Sequence, residues 1–283
     1  MKEILSTLML RSSVRAGAAF LLLLALAIAA GAIWLPGYEV QDAGSALQSP
    51  SGAHWLGTDS LGRDLLSRTL TGGALSLAVG VFAALLSFLL GLSYGGLAGY
   101  LGGRMGAILM RVADALYALP LFLLGAILIL VFGRGPFGVI LALGLTGWVG
   151  EARLARVLVA QAKGLPYVES ARSLGLTPLR IFWFHILPNV MGPLTVSITL
   201  AISQNILAES FLSFVGLGLE PPFASWGTLA NEGWRAFRAY PHLILAPGAA
   251  LFCTALAFTL IGDGLRDALD PRGRLSYLKV RAP

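Results

Sequence analysis

Residues Tyr167–Asn189 read YVESARSLGLTPLRIFWFHILPN, a segment that begins polar and arginine-bearing in a chain that is otherwise mostly apolar. The chain has 283 residues, of which 57% are hydrophobic and 12% charged, whereas soluble domains carry roughly 25% charged residues. Several stretches also exceed the ~18 uncharged, apolar residues that suggest a spanning helix. The composition therefore predicts an all-α, polytopic membrane protein with a long polar segment between two of its helices.

Six apolar segments predict about six transmembrane helices, since a helix satisfies its own backbone hydrogen bonds in lipid. We expect the fourth, which is short, to continue past Glu151. The first segment begins like a signal peptide, but its apolar run is longer than the roughly 7–15-residue core of a signal, so we favour an uncleaved helix. The six segments are Ala16–Tyr38, Thr69–Gly103, Ala115–Gly133, Gly135–Gly150, Ile186–Leu219 and Ala239–Gly262.

Lysine and arginine orient these helices. If the N-terminus is cytoplasmic, most of the 20 basic residues fall in cytoplasmic segments, as the positive-inside rule requires. We therefore predict that both termini are cytoplasmic. The expected organisation is a cytoplasmic N-terminus over 1–15, a first transmembrane helix over 16–38, an external segment over 39–73, a core of five transmembrane helices over 74–265 with a cytoplasmic loop over 161–189, and a cytoplasmic tail over 266–283.

The polar segment has the signals of two short helices joined by a turn. Pro166 suits the first turn of a helix, where its missing N–H costs nothing. Gly175 is the expected stop, in the left-handed conformation that glycine tolerates. Thr177 and Pro178 then restart a helix as its cap and first residue, and Pro188 is expected to end that second helix before the fifth span. A connector between adjacent helices needs only a few residues. The nearly forty residues between Glu151 and Pro188 therefore favour a segment that a partner can hold and move over a simple link.

Helical spacing also assigns faces within the first short helix. Tyr167, Ala171 and Leu174 recur on one face of this helix. Glu169 and Arg172 lie three residues apart and can pair. A connector lying on the lipid surface is the alternative interpretation of the whole segment.

Motifs for covalent chemistry are absent from the sequence. There is no G-x-x-x-x-G-K-[ST] phosphate loop, no H-E-x-x-H and no G-x-S-x-G elbow. One cysteine makes neither an intrachain disulfide nor a zinc cluster. The net charge of +6 fits cytoplasmic loops of a membrane protein better than nucleic-acid binding. We therefore expect no catalytic residue and no bound metal in this chain.

A few polar and small residues in or near the helices are candidates for function or packing. Asp114 lies one turn from Arg111 and is expected to pair with it. Glu209 is deeper in a span, where a carboxylate usually faces the bundle interior or water; we favour a structural, hydrogen-bonded group over a residue of the translocation path. Three glycines spaced by four predict a close helix–helix approach, namely Gly91, Gly95 and Gly99.

The external segment contains GTDSLGRD (Gly57–Asp64), which places three charged residues close together. We expect Asp59, Arg63 and Asp64 to pair within one or two turns. The favoured interpretation is a structural turn packed against a partner subunit. An external gate or a docking surface is the alternative.

The polar segment resembles the cytoplasmic loop of ATP-binding-cassette importer permeases, with its Glu-Ala-Ala, Gly, Ile and Leu-Pro pattern. Ser170 replaces the usual first alanine. Further stretches resemble the second permease of dipeptide, oligopeptide and nickel importers, and the similarity covers most of residues 17 to 274. These are HWLGTDSLGRDLLSR (His54–Arg68), LGLTGWVGEARLARV (Leu143–Val157), PPFASWGTLANEG (Pro221–Gly233) and IGDGLRDALDPR (Ile261–Arg272). The loop residues that match, or that the resemblance places at the ATPase, are Tyr167, Glu169, Ser170, Ala171, Arg172, Gly175, Ile181, Leu187 and Pro188.

The resemblance implies a type I importer permease fold in a bacterial or archaeal plasma membrane. It implies that a second, homologous permease completes the path and that two cytoplasmic subunits bind ATP and magnesium. It further implies that the face formed by Tyr167, Ala171 and Leu174 enters an apolar groove on an ATP-binding subunit. It also implies an external substrate-binding protein. The substrate would be a dipeptide, an oligopeptide, a nickel chelate or a similar solute. An ion-coupled secondary transporter would instead need several mid-membrane carboxylates, and a membrane enzyme would need a catalytic cluster.

Overall fold

The structure, a computed structural model, describes residues 11–269. Within this range the regular secondary structure is helical, which confirms the all-α prediction. Residues 1–10 of the predicted N-terminal segment and residues 270–283 of the predicted tail lie outside the described residues. The α-helices are α1 (Ser12–Trp34), α2 (Leu65–Leu101), α3 (Gly103–Tyr117), α4 (Leu121–Phe132), α5 (Pro136–Lys163), α6 (Pro166–Ser173), α7 (Pro178–Ile181), α8 (Leu187–Phe214), α9 (Trp226–Arg235) and α10 (His242–Leu269).

Five spans in the described part of the chain are long and apolar enough to cross a membrane. They are formed by α1, α2, α5, α10 and the continuous helical stretch from α7 through α8. The pair α3 and α4 forms a sixth candidate if the two count as one broken span, because they meet at an 82° bend. The expectation of about six spans agrees with this count.

The bend corrects the third predicted helix, Ala115–Gly133, which is not continuous. Helix α3 ends at Tyr117 and α4 begins at Leu121, with Pro120 in a non-helical conformation (φ −59°, ψ 112°) as its N-cap. Proline has no backbone N–H and clashes with a preceding helical turn. Pro120 therefore ends the preceding helix and starts a new one.

The ends of other helices also differ from the apolar runs. Helix α1 stops at Trp34 instead of Tyr38, because Leu35 precedes a proline and is extended, as residues before proline prefer. Helix α2 begins at Leu65, inside the predicted external segment 39–73. Helix α10 continues to Leu269, past the predicted core boundary at 265. Apolar runs end at charges, whereas these helices continue through charged residues such as Arg68 that have partners.

The centre of the bundle is the contact between α2 and α5. A Cβ added at Gly95 would lie 2.0 Å from the backbone oxygen of Ala152. Equivalent atoms at Gly91 and Gly99 would lie 2.4 Å from the Glu151 Cβ and 2.5 Å from the Arg156 oxygen. The predicted close approach at these three glycines is confirmed, and it brings α5, which carries the polar loop at its end, against α2.

The entry to α8 differs from expectation at Pro188, which does not end the second loop helix. Residues Phe182–Ile186 form a π-helical turn, and the N–H of Leu187 donates to the carbonyl of Phe182, five residues back. Proline is tolerated in the first turn of α8, where its missing N–H is one of the unpaired donors. The chain is therefore helical from Pro178 to Phe214.

Candidate functional site

The polar loop folds as two short helices joined at Gly175, as predicted. The N–H of Gly175 donates to the carbonyl of Arg172 (2.9 Å) and that of Leu176 to the carbonyl of Ala171 (3.3 Å), which is a Schellman cap. Gly175 has φ +77°, the left-handed conformation expected of it. The Thr177 hydroxyl then accepts from the N–H of Arg180 and caps α7. The turn therefore rests on backbone geometry that glycine supplies.

The predicted outward face of α6 is wrong in one position. Ala171 is 4% exposed and packs with Val168, Ile181 and the C-terminal half of α5 in the core of this chain. Leu174 is 81% exposed and Tyr167 is also exposed. Ala171 therefore faces α5, whereas Leu174, the C-cap of α6, projects away from it. Ala171 can support this helix from within, but it is not available to a partner subunit.

The other loop residues predicted to contact the ATPase differ in their solvent exposure. Glu169, Ser170, Arg172 and Pro188 are exposed, Ile181 is buried and Leu187 is half-buried. Among the described residues no ion pair joins Glu169 to Arg172, so both charged side chains are free to meet groups outside this chain. The Ser170 hydroxyl donates to the carbonyl of Pro166 at 3.0 Å, a contact within α6.

Asp114 does not pair with Arg111. Its Oδ1 accepts from Nη2 of Arg153 at 2.7 Å, and the same guanidinium lies 4.2 Å from the centre of the Tyr117 ring. The pair joins α3 to α5 across the bundle instead of bridging one turn of α3. It is exposed, so it contributes at most about 1 kcal/mol.

Glu209 is completely buried and surrounded by serine hydroxyls. Its Oε1 accepts from Ser213 at 2.8 Å, and its Oε2 accepts from Ser76 on α2 at 2.9 Å and from Ser210 at 3.3 Å. The Ser76 hydroxyl also accepts from the backbone N–H of Trp226 at the start of α9. Glu209 therefore ties α8, α2 and α9 together, a geometry that agrees with the structural interpretation favoured from sequence.

The segment over 39–73, which the sequence predicts to be external, is organised around Asp59. Its Oδ2 accepts from Nε of Arg63 and from Nη1 of Arg68, both at 2.6 Å. Its Oδ1 accepts from the N–H groups of Leu61 (2.8 Å) and Arg63 (3.0 Å). Arg68 also donates through Nη2 to Oε1 of Glu232 on α9 at 3.1 Å. We call Asp59, Arg63, Arg68 and Glu232 the external charge network; it ties the external segment to α2 and α9.

The electrostatics of this network follow from its geometry. Burial of the Asp59 carboxyl opposes its charge, but hydrogen bonds from Arg63 and Leu61 and the charge of Arg68 outweigh it and hold the pKa of Asp59 below its usual range. Arg68 has a side chain only 4% exposed, so its charge depends on the two carboxylates beside it.

Two features of the network differ from the sequence interpretation. The Asp59–Arg63 pair is confirmed, but Asp64 does not join it. Asp64 is instead the N-cap of α2, where its carboxylate accepts from the Ser67 N–H at 2.8 Å and lies 2.9 Å from Nδ1 of His54. Sequence reasoning missed Arg68 and Glu232, which are separated by 164 residues; a charge inside a helix that otherwise reads as apolar was the available signal.

The chain is similar in sequence to membrane components of known transport systems. The family described as binding-protein-dependent transport system inner membrane component matches residues 91–275. The dipeptide transport system permease protein of Bacillus subtilis is 47% identical over 234 residues, which cover 80% of this chain and 71% of that protein. The oligopeptide transport system permease protein of the same organism is 42% identical, over 84% of this chain and 78% of that protein.

A third relative and a solved structure agree with these matches. The glutathione transport system permease protein of Pectobacterium atrosepticum is 41% identical over 93% of this chain and 88% of its own length. A crystal structure of an amino acid ABC transporter aligns with TM-score 0.51 and 17% identity, over 69% of this chain and 91% of that one, and supports the fold alone. The chain therefore belongs to the family of binding-protein-dependent transport system inner membrane components, and it is a permease subunit of an ATP-binding-cassette importer.

Proposed function

We propose that this chain forms half of the translocation path of an importer for peptides or closely related small solutes. A second, homologous permease supplies the other half. Two cytoplasmic subunits bind ATP and magnesium, while this chain holds neither, and an external binding protein delivers the substrate. Both termini are cytoplasmic. The three relatives are named as permeases for dipeptides, oligopeptides and glutathione, which supports the peptide class over nickel chelates.

The observation that carries the coupling proposal is the exposed apolar surface beside the Gly175 turn. Leu174, Leu179 and Phe184 are each largely exposed, although the same segment carries Arg172 and Arg180 and is rich in polar residues. Apolar side chains that project from a polar, folded segment mark a protein interaction site. We call these three residues the loop apolar surface and assign it to the ATP-binding subunit.

Movement is transmitted through the packing of α6. Val168 and Ala171 are buried against α5, so a force applied to α6 reaches α5 and, through the glycine contacts, α2. Closure of the ATP-binding subunits would draw the two loops together and open the path outward. The chain itself performs no covalent chemistry in this cycle.

The coupling proposal is tested by Leu174→Ser in the assembled importer. Loss of a buried leucine at an interface removes about 1.5–3 kcal/mol of transfer free energy, so we expect at least tenfold weaker recovery of the ATP-binding subunit in a pull-down at matched membrane levels. Leu61→Ser, at an exposed leucine of the external segment, is the matched control and should assemble normally. Normal recovery with Leu174→Ser would reject the loop apolar surface.

The energy source and the substrate class are tested in proteoliposomes that contain the purified importer. We expect uptake of a labelled dipeptide to require ATP and the binding protein and to be unaffected by a protonophore. Uptake that continues without ATP and stops with the protonophore would identify an ion-coupled transporter instead.

A further inference from the structure

A mainly apolar cleft that contains a few polar side chains lies between α2, α4, α5 and α8, away from the external charge network and the loop. Its volume is about 270 Å³, below the ~300–1,000 Å³ of complete small-molecule sites. Gly150 lies in its wall, and a Cβ added there would meet no atom within 4 Å. The cleft is therefore open where α5 passes it, and it can hold one end of an extended molecule.

Three side chains give the cleft its chemistry. Glu151 on α5 is half-buried, and its Oε2 accepts from the Ser197 hydroxyl on α8 at 2.7 Å. Gln204 and Asn205 follow two turns further along α8 and line the same space. Within residues 11–269, no hydrogen bond occupies either amide. The lining hydroxyls of Ser87 and Thr146 donate to backbone carbonyls, so they are already used.

These groups lie inside transmembrane helices, which limits what can face them. An amide or a carboxylate exposed to lipid tails costs several kcal/mol, so this wall faces water or protein. Ionisable residues in spans almost always pair or line a pathway. In the described part of the chain, Glu151 has no ion-pair partner, and no lysine or arginine lines the cleft. Among the described residues, the Glu151 carboxylate therefore has no cationic partner in the cleft.

We propose that Glu151, with the amides of Gln204 and Asn205, receives the N-terminal ammonium group of a peptide in transit. A carboxylate supplies the opposite charge, and the two amide oxygens accept the remaining N–H bonds of a primary ammonium group. This inference rests on the proposed function, since it assumes peptide cargo. The cleft then binds the cationic end of the peptide, and the rest of the peptide contacts the surface that the second permease supplies.

The electrostatic part is tested by thiol labelling of the assembled importer in inside-out membrane vesicles. Gln204→Cys in a Cys253→Ser background should react with hydrophilic methanethiosulfonates, and the cationic reagent should react roughly tenfold faster than the anionic one, as expected for a screened unit charge nearby. Adding Glu151→Gln should abolish this preference. Leu207 lies on the same helix but does not line the cleft, so Leu207→Cys is the control and should react with neither reagent.

The ammonium part is tested in the same vesicles with glycylglycine and N-acetylglycylglycine at millimolar concentration. The free-amine peptide should slow labelling of Gln204→Cys, the acetylated one should not, and Glu151→Gln should remove the difference. Absence of labelling at Gln204→Cys would mean that the second permease fills the cleft, and equal protection by both peptides would mean that no ammonium group is recognised; either result overturns the inference. ATP-dependent uptake by the wild-type importer, measured in parallel, tests the proposed function separately.

Discussion

Replacing Gly95 with alanine should open the central contact between α2 and α5. The new Cβ would lie 2.0 Å from the Ala152 oxygen and 2.6 Å from its carbonyl carbon. These are backbone atoms of a helix, so they cannot rotate away as a side chain would. To restore an ordinary contact of 3.4 Å the helices must separate by about 1.4 Å, which also loosens the contacts at Gly91 and Gly99.

The magnitude follows from two opposing terms. Overpacking typically costs 1–3 kcal/mol, and a rigid backbone clash in a helix interface places this substitution at about 3 kcal/mol. Alanine regains about 1 kcal/mol of helix propensity over glycine. We therefore expect a net loss of about 2 kcal/mol, equivalent to a roughly thirtyfold shift in the unfolding equilibrium.

The assay is unfolding of the purified importer permease in mixed detergent micelles, followed by the loss of helical circular dichroism as the SDS fraction rises. Gly150→Ala is the matched control, because its added Cβ meets open space; it should be neutral or stabilising by up to about 1 kcal/mol. If Gly95→Ala unfolds at the same SDS fraction as the wild type, or later, the helices are not in backbone contact at this position and the packing argument is wrong.

Three further outcomes can be checked. Gly175→Val should leave the protein in the membrane but reduce ATP-driven uptake, because a left-handed residue costs roughly 1–2 kcal/mol without glycine; Gly175→Asn, which tolerates this conformation better, should retain more uptake in the same assay. A cysteine replacing the exposed Ser60 should react with an impermeant thiol reagent outside intact spheroplasts, and reaction only after lysis would reverse the orientation. Asp59→Asn should lower the free energy of unfolding in the SDS assay by about 3 kcal/mol. This is the lower end of the range for breaking a buried ion pair, because Glu232 still pairs with Arg68. Since the pKa of Asp59 is lowered on folding, its stabilisation is present above pH ~4 and is lost as the pH falls through the folded pKa, so the variant should lose less stability than the wild type below pH ~4.

The sequence by itself determined the features that depend on neighbouring residues. Apolar runs specified the spans, because lipid requires a long uncharged helix wherever the backbone crosses it. The Gly175 turn and its Thr177 cap were readable for a similar reason: a left-handed turn and a helix cap each need particular residues within a few positions. The four-residue spacing of glycines on α2 also predicted a close contact, although the spacing does not name the helix that fills it.

The tertiary structure alone decided which distant groups meet. Asp114 binds Arg153 on another helix although Arg111 is one turn away, and Arg68 meets Glu232 across 164 residues. Ala171 faces inward because α5 packs against that side of α6, and no periodicity within eight residues reveals which side will be covered. Helical spacing states which residues share a face, whereas the packing of helices onto one another determines whether that face meets the core, a charge or a second subunit.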